Sequence, residues 1–229
     1  MATKRIRSKK EPDDLRRSRL AVGATFDGIL EIPFIAPPDI DKPPEVAIPF
    51  SKRSRSRNHT ELLVFDEYEE GFQELVENPD AFLEELREYP AVFSPDLSLY
   101  RNATLAAQIT NVYDSRLTGS YLQRNGVNVV PFIRWGDERS FTTMELPEPF
   151  ALLGAYEGSV IGVGPYGCVK TRADQEIFRA GLIAAIERIH PCMVLSYGPK
   201  PDRVFGGLES MTKFVFYEDW TRRVRGRRG

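Results

Sequence analysis

The chain has 229 residues, of which 41% are apolar, a size and composition that suit a globular protein with one sizeable core. No apolar run approaches the roughly 20 residues of a membrane span, and the first residues lack the apolar core of a secretory signal. We therefore predict an intracellular protein. In a reducing compartment its two cysteines, Cys168 and Cys192, are expected to remain free thiols.

The net charge of -2 conceals an uneven distribution of charge along the chain. Residues 1–19 carry eight basic and three acidic side chains, residues 52–57 add four basic ones, and residues 221–229 add five. Basic segments on an acidic body favour contact with a polyanion, because neutralised phosphates release counterions. Alternatively, these segments only keep the chain soluble or fold back onto the body. The candidate nucleic-acid contacts are Lys4, Arg5, Lys9, Lys10, Arg53, Arg55, Arg222, Arg223 and Arg225.

Composition divides the chain into four zones. Residues 1–19 contain too few apolar side chains to offset the entropy of ordering, which predicts a disordered basic tail. Residues 20–60 are rich in proline, which excludes a long helix and predicts an extended arm lying on this domain or on a partner. An α/β domain is predicted for residues 61–221, followed by a basic tail at residues 222–229.

Strand-like and helix-like segments alternate through the predicted domain. Short apolar runs predict strands at 62–65, 91–93, 127–133, 159–163, 193–197 and 213–217. Amphipathic spacing predicts helices at 67–76, 79–89, 103–123, 173–189 and 202–208. Such alternation indicates a mostly parallel sheet of about six strands flanked by helices in three layers, with a partial barrel as the alternative. Pro131 places the third strand at an edge or a bulge.

Polar side chains follow several of these strands, and the carboxyl ends of parallel strands share one edge of a sheet. Asp96, Asp137 and Glu138 are the candidate catalytic residues, since carboxylates could hold Mg²⁺ for phosphoryl chemistry. Arg101 and Arg134 could clamp a phosphate or a carboxylate. The alternative is structural, with the carboxylates capping helices or turns and pairing with the arginines. Further positions at the same strand ends are Asp66, Ser94, Gly164, Gly167, Cys168, Tyr197 and Gly198.

Three of these strand-end features have both a functional and a structural interpretation. Trp135 either stacks on a base or sugar or covers the end of the sheet. The glycines of residues 162–167 match G-x-G-x-x-G, but Pro165 removes an amide, so an anion-binding turn and a plain tight connection both remain open. Cys168 could be a nucleophile before a helix, although no histidine is near it in sequence. Tyr100 is expected to pack in the core, and residues 66–70 to be a solvated helix start.

The chain also resembles a known family in five separated stretches. These are FSPDLSLYRN at 93–102, VVPFIRWGDERSF at 129–141, SVIGVGPYGCVKT at 159–171, FRAGLIAAIERIHP at 178–191 and VLSYGPKPDRVF at 194–205. Over about residues 61–221 the sequence resembles the domain of unknown function 4417, a family of bacteria, phages, plasmids and integrative elements. The resemblance implies an α/β fold and a mobile-element setting, in the bacterial cytoplasm or a phage particle, but no reaction. The basic extension and the Pro-rich arm lie outside this resemblance.

Two functions from different classes are compatible with the sequence. One is a binding or assembly module of a phage or mobile element, whose basic arms contact nucleic acid or a partner protein. The other is a nucleotide- or nucleic-acid-processing enzyme with a phosphate-binding cleft at the strand ends. We favour the binding module, because no set of residues meets the spacing requirements of a known catalytic mechanism.

Overall fold

The computed structural model describes residues 17–226. Its strands are β1 (Phe26–Asp27), β2 (Ile32–Pro33), β3 (Ala47–Pro49), β4 (Leu62–Val64), β5 (Ala91–Phe93), β6 (Val129–Val130), β7 (Val160–Val163), β8 (Met193–Tyr197) and β9 (Lys213–Tyr217). Its α-helices are α1 (Gln73–Glu77), α2 (Leu83–Arg87), α3 (Leu105–Arg124), α4 (Glu138–Phe141), α5 (Arg172–Ile189), α6 (Asp202–Phe205) and α7 (Trp220–Gly226). Short 3-10 helices cover Ser18–Ala21, Phe50–Arg55, Glu69–Gly71, Pro79–Phe82 and Phe150–Leu152.

Two parallel sheets form the centre of the fold. Strands β3 to β6 form a four-stranded sheet and β7 to β9 a three-stranded one, each in chain order. A single bridge connects the two sheets, in which Ile133 N donates to Gly162 O at 2.8 Å and Gly162 N donates to Pro131 O at 2.9 Å. Parallel sheets flanked by helices confirm the predicted fold class. Within the described residues no closed barrel forms.

Pro131 accounts for the weak connection between the sheets. The sequence predicts a strand over 127–133, but β6 ends at Val130, and Phe132 contributes only the isolated bridge to Gly162. Proline has no N–H to donate to a ladder, so regular pairing cannot continue through it. The residue therefore lies at the break between the two sheets.

The outermost strands, β3 and β9, approach each other without pairing. Tyr217, the last residue of β9, donates its hydroxyl to Pro44 O at 3.0 Å, three residues before β3 begins. Helix α7, which follows β9, also contacts β3. The strand series is thus strongly curved, and the end of β9 and helix α7 lie against β3 and the segment before it.

Helix α5 folds as its amphipathic pattern predicts. Thr171 and Asp174 form a capping box, with Asp174 N donating to Thr171 Oγ1 at 3.1 Å and Thr171 N donating to Asp174 Oδ2 at 2.9 Å. The helix ends at His190, whose φ of 46° is left-handed. Its buried side chains, which pack against β7 and β8, are Phe178, Leu182, Ala185, Ile186 and Ile189.

Helix α3 is buried on more of its circumference than its apolar residues predict. Of the apolar side chains whose spacing predicts the helix, Val112, Leu117 and Leu122 are buried, while Leu105 and Ile109 are only half-buried. The helix also buries polar side chains, namely Gln108, Ser115, Arg116, Thr118 and Ser120. These residues need hydrogen-bond partners inside the protein.

The Pro-rich segment 20–60 contributes a strand to the sheet and also packs against helix α3. It was expected to be an extended arm, yet β3 pairs in parallel with β4 over three residues, and Ile48 is completely buried. The hairpin of β1 and β2 lies against α3. The predicted tail at 1–19 falls almost entirely outside the described residues, while the described part of the tail at 222–229 continues α7 through Gly226. None of the described helices is both long and apolar enough to cross a bilayer.

Candidate functional site

Polar side chains from consecutive strand ends meet at the carboxyl rim, by which we mean the surface formed by the segments directly after β3 to β9. Asp66 follows β4, Asp96 follows β5, Arg134 follows β6 and Cys168 follows β7. Because neighbouring parallel strands end at the same sheet edge, these four residues converge although they are far apart in sequence. We call them the rim cluster.

Arg134 is the centre of the rim cluster. Its Nε donates to Asp96 Oδ1 at 2.6 Å, and its Nη2 donates to the second oxygen of Asp96 and to Asp66 Oδ1 at 3.3 Å. Its Nη1 donates to Cys168 Sγ at 2.9 Å. The side chains of Arg134, Asp96 and Asp66 are only 14%, 5% and 4% exposed. The guanidinium is therefore closed on all of its edges by the protein.

Burial dominates the protonation of this cluster. Desolvation raises the pKa of Asp66 to about 8 despite the attraction of Arg134, and it raises the pKa of Asp96 in the same way. The pKa of the Cys168 thiol is also raised by burial, which disfavours the thiolate that a nucleophile requires. The pKa of Arg134 lies well above its usual value because the two carboxylates outweigh its own desolvation. One guanidinium thus faces two carboxyl groups in a dry environment.

Gly164 closes the cluster from the side of β7. Asp66 Oδ2 is buried and has no hydrogen-bond partner among the described residues. A Cβ on Gly164 would overlap that oxygen and would also lie 2.8 Å from the Phe132 ring. Only glycine fits this close approach, so the first residue after β7 covers the carboxyl group of Asp66 directly.

A second buried arginine, Arg116 on α3, lies behind the rim cluster. It is 1% exposed, and it donates to Leu153 O at 3.0 Å, to Phe132 O at 2.6 Å and to Ala151 O at 3.4 Å. Burial lowers its pKa to about 10. The cavity between Arg116, Asp96 and Arg134 measures about 10 Å³, which is room for about one water molecule.

The other charged candidates lie outside this cluster. Arg101 pairs with Asp174 at 2.9 Å, and Asp137 caps α4 while pairing with Arg139 at 3.0 Å. Glu138 is exposed in the first turn of α4. The three carboxylates considered for Mg²⁺ therefore have different partners. Within residues 17–226, no group of three or more His, Cys, Asp or Glu side chains is arranged to hold a metal ion.

The predicted ligand-binding residues also have structural roles. Trp135 is 6% exposed and packs on Phe178 with ring centroids 4.8 Å apart. The buried Tyr197 accepts a hydrogen bond from Trp220 N at 2.8 Å, which attaches α7 to β8. Gly167 has a φ of 77° and forms a turn between β7 and α5. Ser94 accepts a bond from Phe132 N at 2.9 Å.

Two expectations from the sequence were wrong. Tyr100 was expected to pack in the core, but it is 65% exposed in the segment after β5. Asp66 was read as part of a solvated helix start at 66–70, but it is buried in the rim cluster, and the chain becomes helical only at Glu69. Both residues follow buried strands, where a side chain can point either over the sheet or away from it, and the sequence does not distinguish these orientations.

The basic candidates differ in how they are engaged. Arg53 pairs with Glu85 at 3.0 Å and lies 4.0 Å from the centre of the Phe50 ring, whereas Arg55 is exposed. Arg222 lies 3.8 Å from Asp219, and Arg223 lies 4.8 Å from the centre of the Trp220 ring. Lys4, Arg5, Lys9 and Lys10 lie outside the described residues, as does the side chain of Arg225.

Sequence reasoning missed Arg116 and β3. Arg116 lies between apolar positions of a helix that the sequence predicts to be amphipathic, where a charged residue is usually taken as exposed. The only signal was its place within a helix whose neighbouring positions are small or polar, TGS at 118–120. Strand β3 was missed because Ala47–Pro49 is only three residues long and itself ends in a proline.

These features define an α/β protein with parallel sheets and a closed ionic cluster at its strand ends. The family comparison is more specific: the chain matches the model of the domain of unknown function (DUF4417) over residues 24–217, so it belongs to that family. The predicted resemblance is thereby confirmed. Its predicted limit was wrong, because the match begins at residue 24 and includes most of the Pro-rich segment. That segment supplies β3 to the sheet.

The chain is also similar to two phage proteins. It is 34% identical over 127 residues to the Gene 1 protein of Mycobacterium phage L5, a match covering 56% of this chain and 52% of that protein. It is 32% identical over 127 residues to the Gene 1 protein of Mycobacterium phage D29, covering 56% and 44%. The chain thus spans about half the length of these relatives. No solved structure matches it.

Proposed function

We propose that this protein is a binding module of a phage or mobile element that contacts the phosphate backbone of nucleic acid through basic segments that adjoin β3. It would act in the cytoplasm of a bacterial host or in a phage particle. One observation carries the proposal. Two basic segments that are far apart in sequence both adjoin β3, because residues 52–57 follow that strand in the chain and α7 contacts it.

The fold explains why both segments adjoin β3. The 3-10 helix Phe50–Arg55 starts directly after β3, and α7 starts three residues after β9. Because the strand series curves until its outer strands approach each other, α7 contacts β3. Positive charge from both ends of the fold is concentrated there, which suits a polyanion.

Three cations in this region are available to a ligand. Lys52, Arg55 and Arg57 are exposed, and none of them has an ion-pair or hydrogen-bond partner within residues 17–226. Arg53 is instead held by Glu85 and Phe50. Phosphates could therefore be neutralised by the first three residues without breaking an internal ion pair.

The closed rim cluster favours binding over the enzyme alternative. A phosphate clamp would need a free edge of Arg134, but Asp96, Asp66 and Cys168 occupy the edges that the enzyme hypothesis assigns to substrate. The adjacent cavity has room for about one water molecule. The cluster is better suited to joining four strand ends than to holding a nucleotide.

Charge reversal in the full chain tests the proposal. A K52E/R55E/R57E variant should bind a labelled DNA duplex at least about tenfold more weakly in fluorescence anisotropy, and the dependence of its affinity on salt should become shallower. The matched control is K42E/R188E/K213E, which changes the net charge equally. Its three side chains are exposed, two in the segments before β3 and β8 and one on the first residue of β9. Equal binding by the two variants, or binding to a protein but not to nucleic acid, would contradict the proposal.

A further inference from the structure

Three tyrosines at the carboxyl rim expose their rings to an unusual extent. Tyr68, Tyr100 and Tyr166 are 88%, 65% and 58% exposed, and they are the most exposed aromatic side chains of the described residues. Each lies in the segment that follows a parallel strand, after β4, β5 and β7 respectively. A tyrosine ring usually packs against apolar neighbours, so three open rings on one surface indicate a ligand with flat faces.

Internal hydrogen bonds connect the first two tyrosines to the basic segment. Ser51 N, beside Lys52, donates to Glu67 Oε1 at 2.8 Å, and Glu67 precedes Tyr68. Ser98 N, two residues before Tyr100, donates to Glu69 Oε1 at 2.7 Å. These bonds arrange the basic segment, Tyr68 and Tyr100 side by side in strand order. They also direct two acidic side chains to backbone N–H groups, which reduces their repulsion of an anion.

The rim cluster holds the third tyrosine in the same surface. Tyr166 lies between Gly164, which packs on Asp66, and Cys168, which accepts a hydrogen bond from Arg134. Both ends of its loop are thus attached to residues that follow β4 and β6. The structural role of the rim cluster is to keep this loop, and the exposed ring on it, at the carboxyl rim.

We infer that the carboxyl rim binds single-stranded nucleic acid, with unpaired bases stacked on Tyr68, Tyr100 and Tyr166 and phosphates along the basic segment that begins there at Lys52 and continues through Arg55 and Arg57. This inference rests on the proposed function and specifies its substrate class. Exposed aromatic rings can stack only on bases whose faces are accessible, and a duplex hides those faces. Cationic and aromatic side chains combined on one surface are the usual means of holding a single strand without reading its sequence.

Two sets of variants of the full chain test the inference by fluorescence anisotropy. The single-stranded probe is an oligothymidylate of about 20 nucleotides, longer than the roughly 4–16 nucleotides that one binding domain covers. The corresponding oligouridylate distinguishes DNA from RNA, and a mixed-sequence duplex is the double-stranded probe. Each Tyr→Ala change should weaken single-strand binding about fivefold or more and leave duplex binding unchanged. Each Tyr→Phe change should retain the affinity, because the ring remains.

A matched control and the outcomes complete the design. Phe26→Ala removes an exposed ring from the β1–β2 hairpin, which lies beside the amino end of β7, and should change nothing. If Tyr68→Ala, Tyr100→Ala and Tyr166→Ala leave single-strand affinity unchanged while K52E/R55E/R57E weakens it, the stacking inference is overturned and the proposed function stands. If the unmodified protein binds neither single strands nor duplex, both are overturned.

Discussion

Replacing Arg134 with methionine isolates the role of the rim cluster. The substitution keeps a long side chain in place but leaves the carboxyl groups of Asp96 and Asp66 buried without their cation. Breaking a buried ion pair from one side costs about 3–5 kcal/mol, because an uncompensated charge remains in a dry site. For a chain of this size that corresponds to a fall in Tm of about 6–20 °C.

The sign of the pH dependence provides a sharper test of the Arg134→Met prediction. Without the guanidinium, both carboxyl groups have to be neutral to remain buried, and acid supplies the protons. The deficit of the variant relative to the unmodified protein should therefore shrink as pH falls from about 8 to about 5. Urea denaturation at several pH values gives the free energy of unfolding of both proteins.

Arg101→Met is the matched control for Arg134→Met. Arg101 also forms an ion pair, with Asp174, but its side chain is 38% exposed. Surface pairs of this kind contribute about 0–1 kcal/mol. The structural role of the rim cluster would be refuted if Arg134→Met were no less stable than Arg101→Met. It would also be refuted if the loss in free energy of unfolding caused by Arg134→Met were the same at about pH 8 and about pH 5.

Three further changes probe the packing behind the rim. Arg116→Met should lower the free energy of unfolding by about 3–5 kcal/mol in urea denaturation, since buried carbonyl oxygens lose their donor; a loss as small as that of Arg101→Met would count against this. Asp66 has a folded pKa of about 8, whereas an unfolded aspartate titrates near about 3.9, so stability should fall as pH rises through this window. Asp66→Asn should reduce that fall to the part that the buried Asp96 contributes, and an unchanged pH profile would contradict the burial argument. Gly181→Ala should lower the free energy of unfolding by about 1–3 kcal/mol despite the better helix propensity of alanine, because the new methyl group overlaps the Trp135 ring. This loss should appear as a lower Tm, and an added Trp135→Leu change should recover part of it.

The sequence predicted the strands and helices best where one periodicity dominates. Strands at Ala91–Phe93, Met193–Tyr197 and Lys213–Tyr217 have the predicted limits, and α5 differs by one residue. These segments are short apolar runs or a clearly amphipathic helix. The prediction was poorer at β3, where three residues that include Pro49 become a strand because β4 lies beside them.

The charged residues show the limit of such reasoning. Because Asp96 and Arg134 each follow a predicted parallel strand, the sequence placed them at the same rim, and they do form an ion pair. The same rule grouped Arg101 and Asp137 with them, but those residues pair with Asp174 and Arg139 instead. Being near a strand end determines the edge of the sheet on which a residue lies. The direction of a side chain within a loop depends on which partners the folded loop offers.

The amino-acid sequence by itself determined the class of fold, the family and the presence of basic segments on an acidic body, because apolar periodicity and charge are local properties of the chain. Tertiary structure alone decided which groups face each other. Curvature of the strand series brings α7 against β3, and parallel pairing closes Asp66, Asp96 and Cys168 around Arg134 while leaving three tyrosines exposed. These arrangements depend on contacts between residues far apart in sequence, where the gain from burial and pairing outweighs local preference.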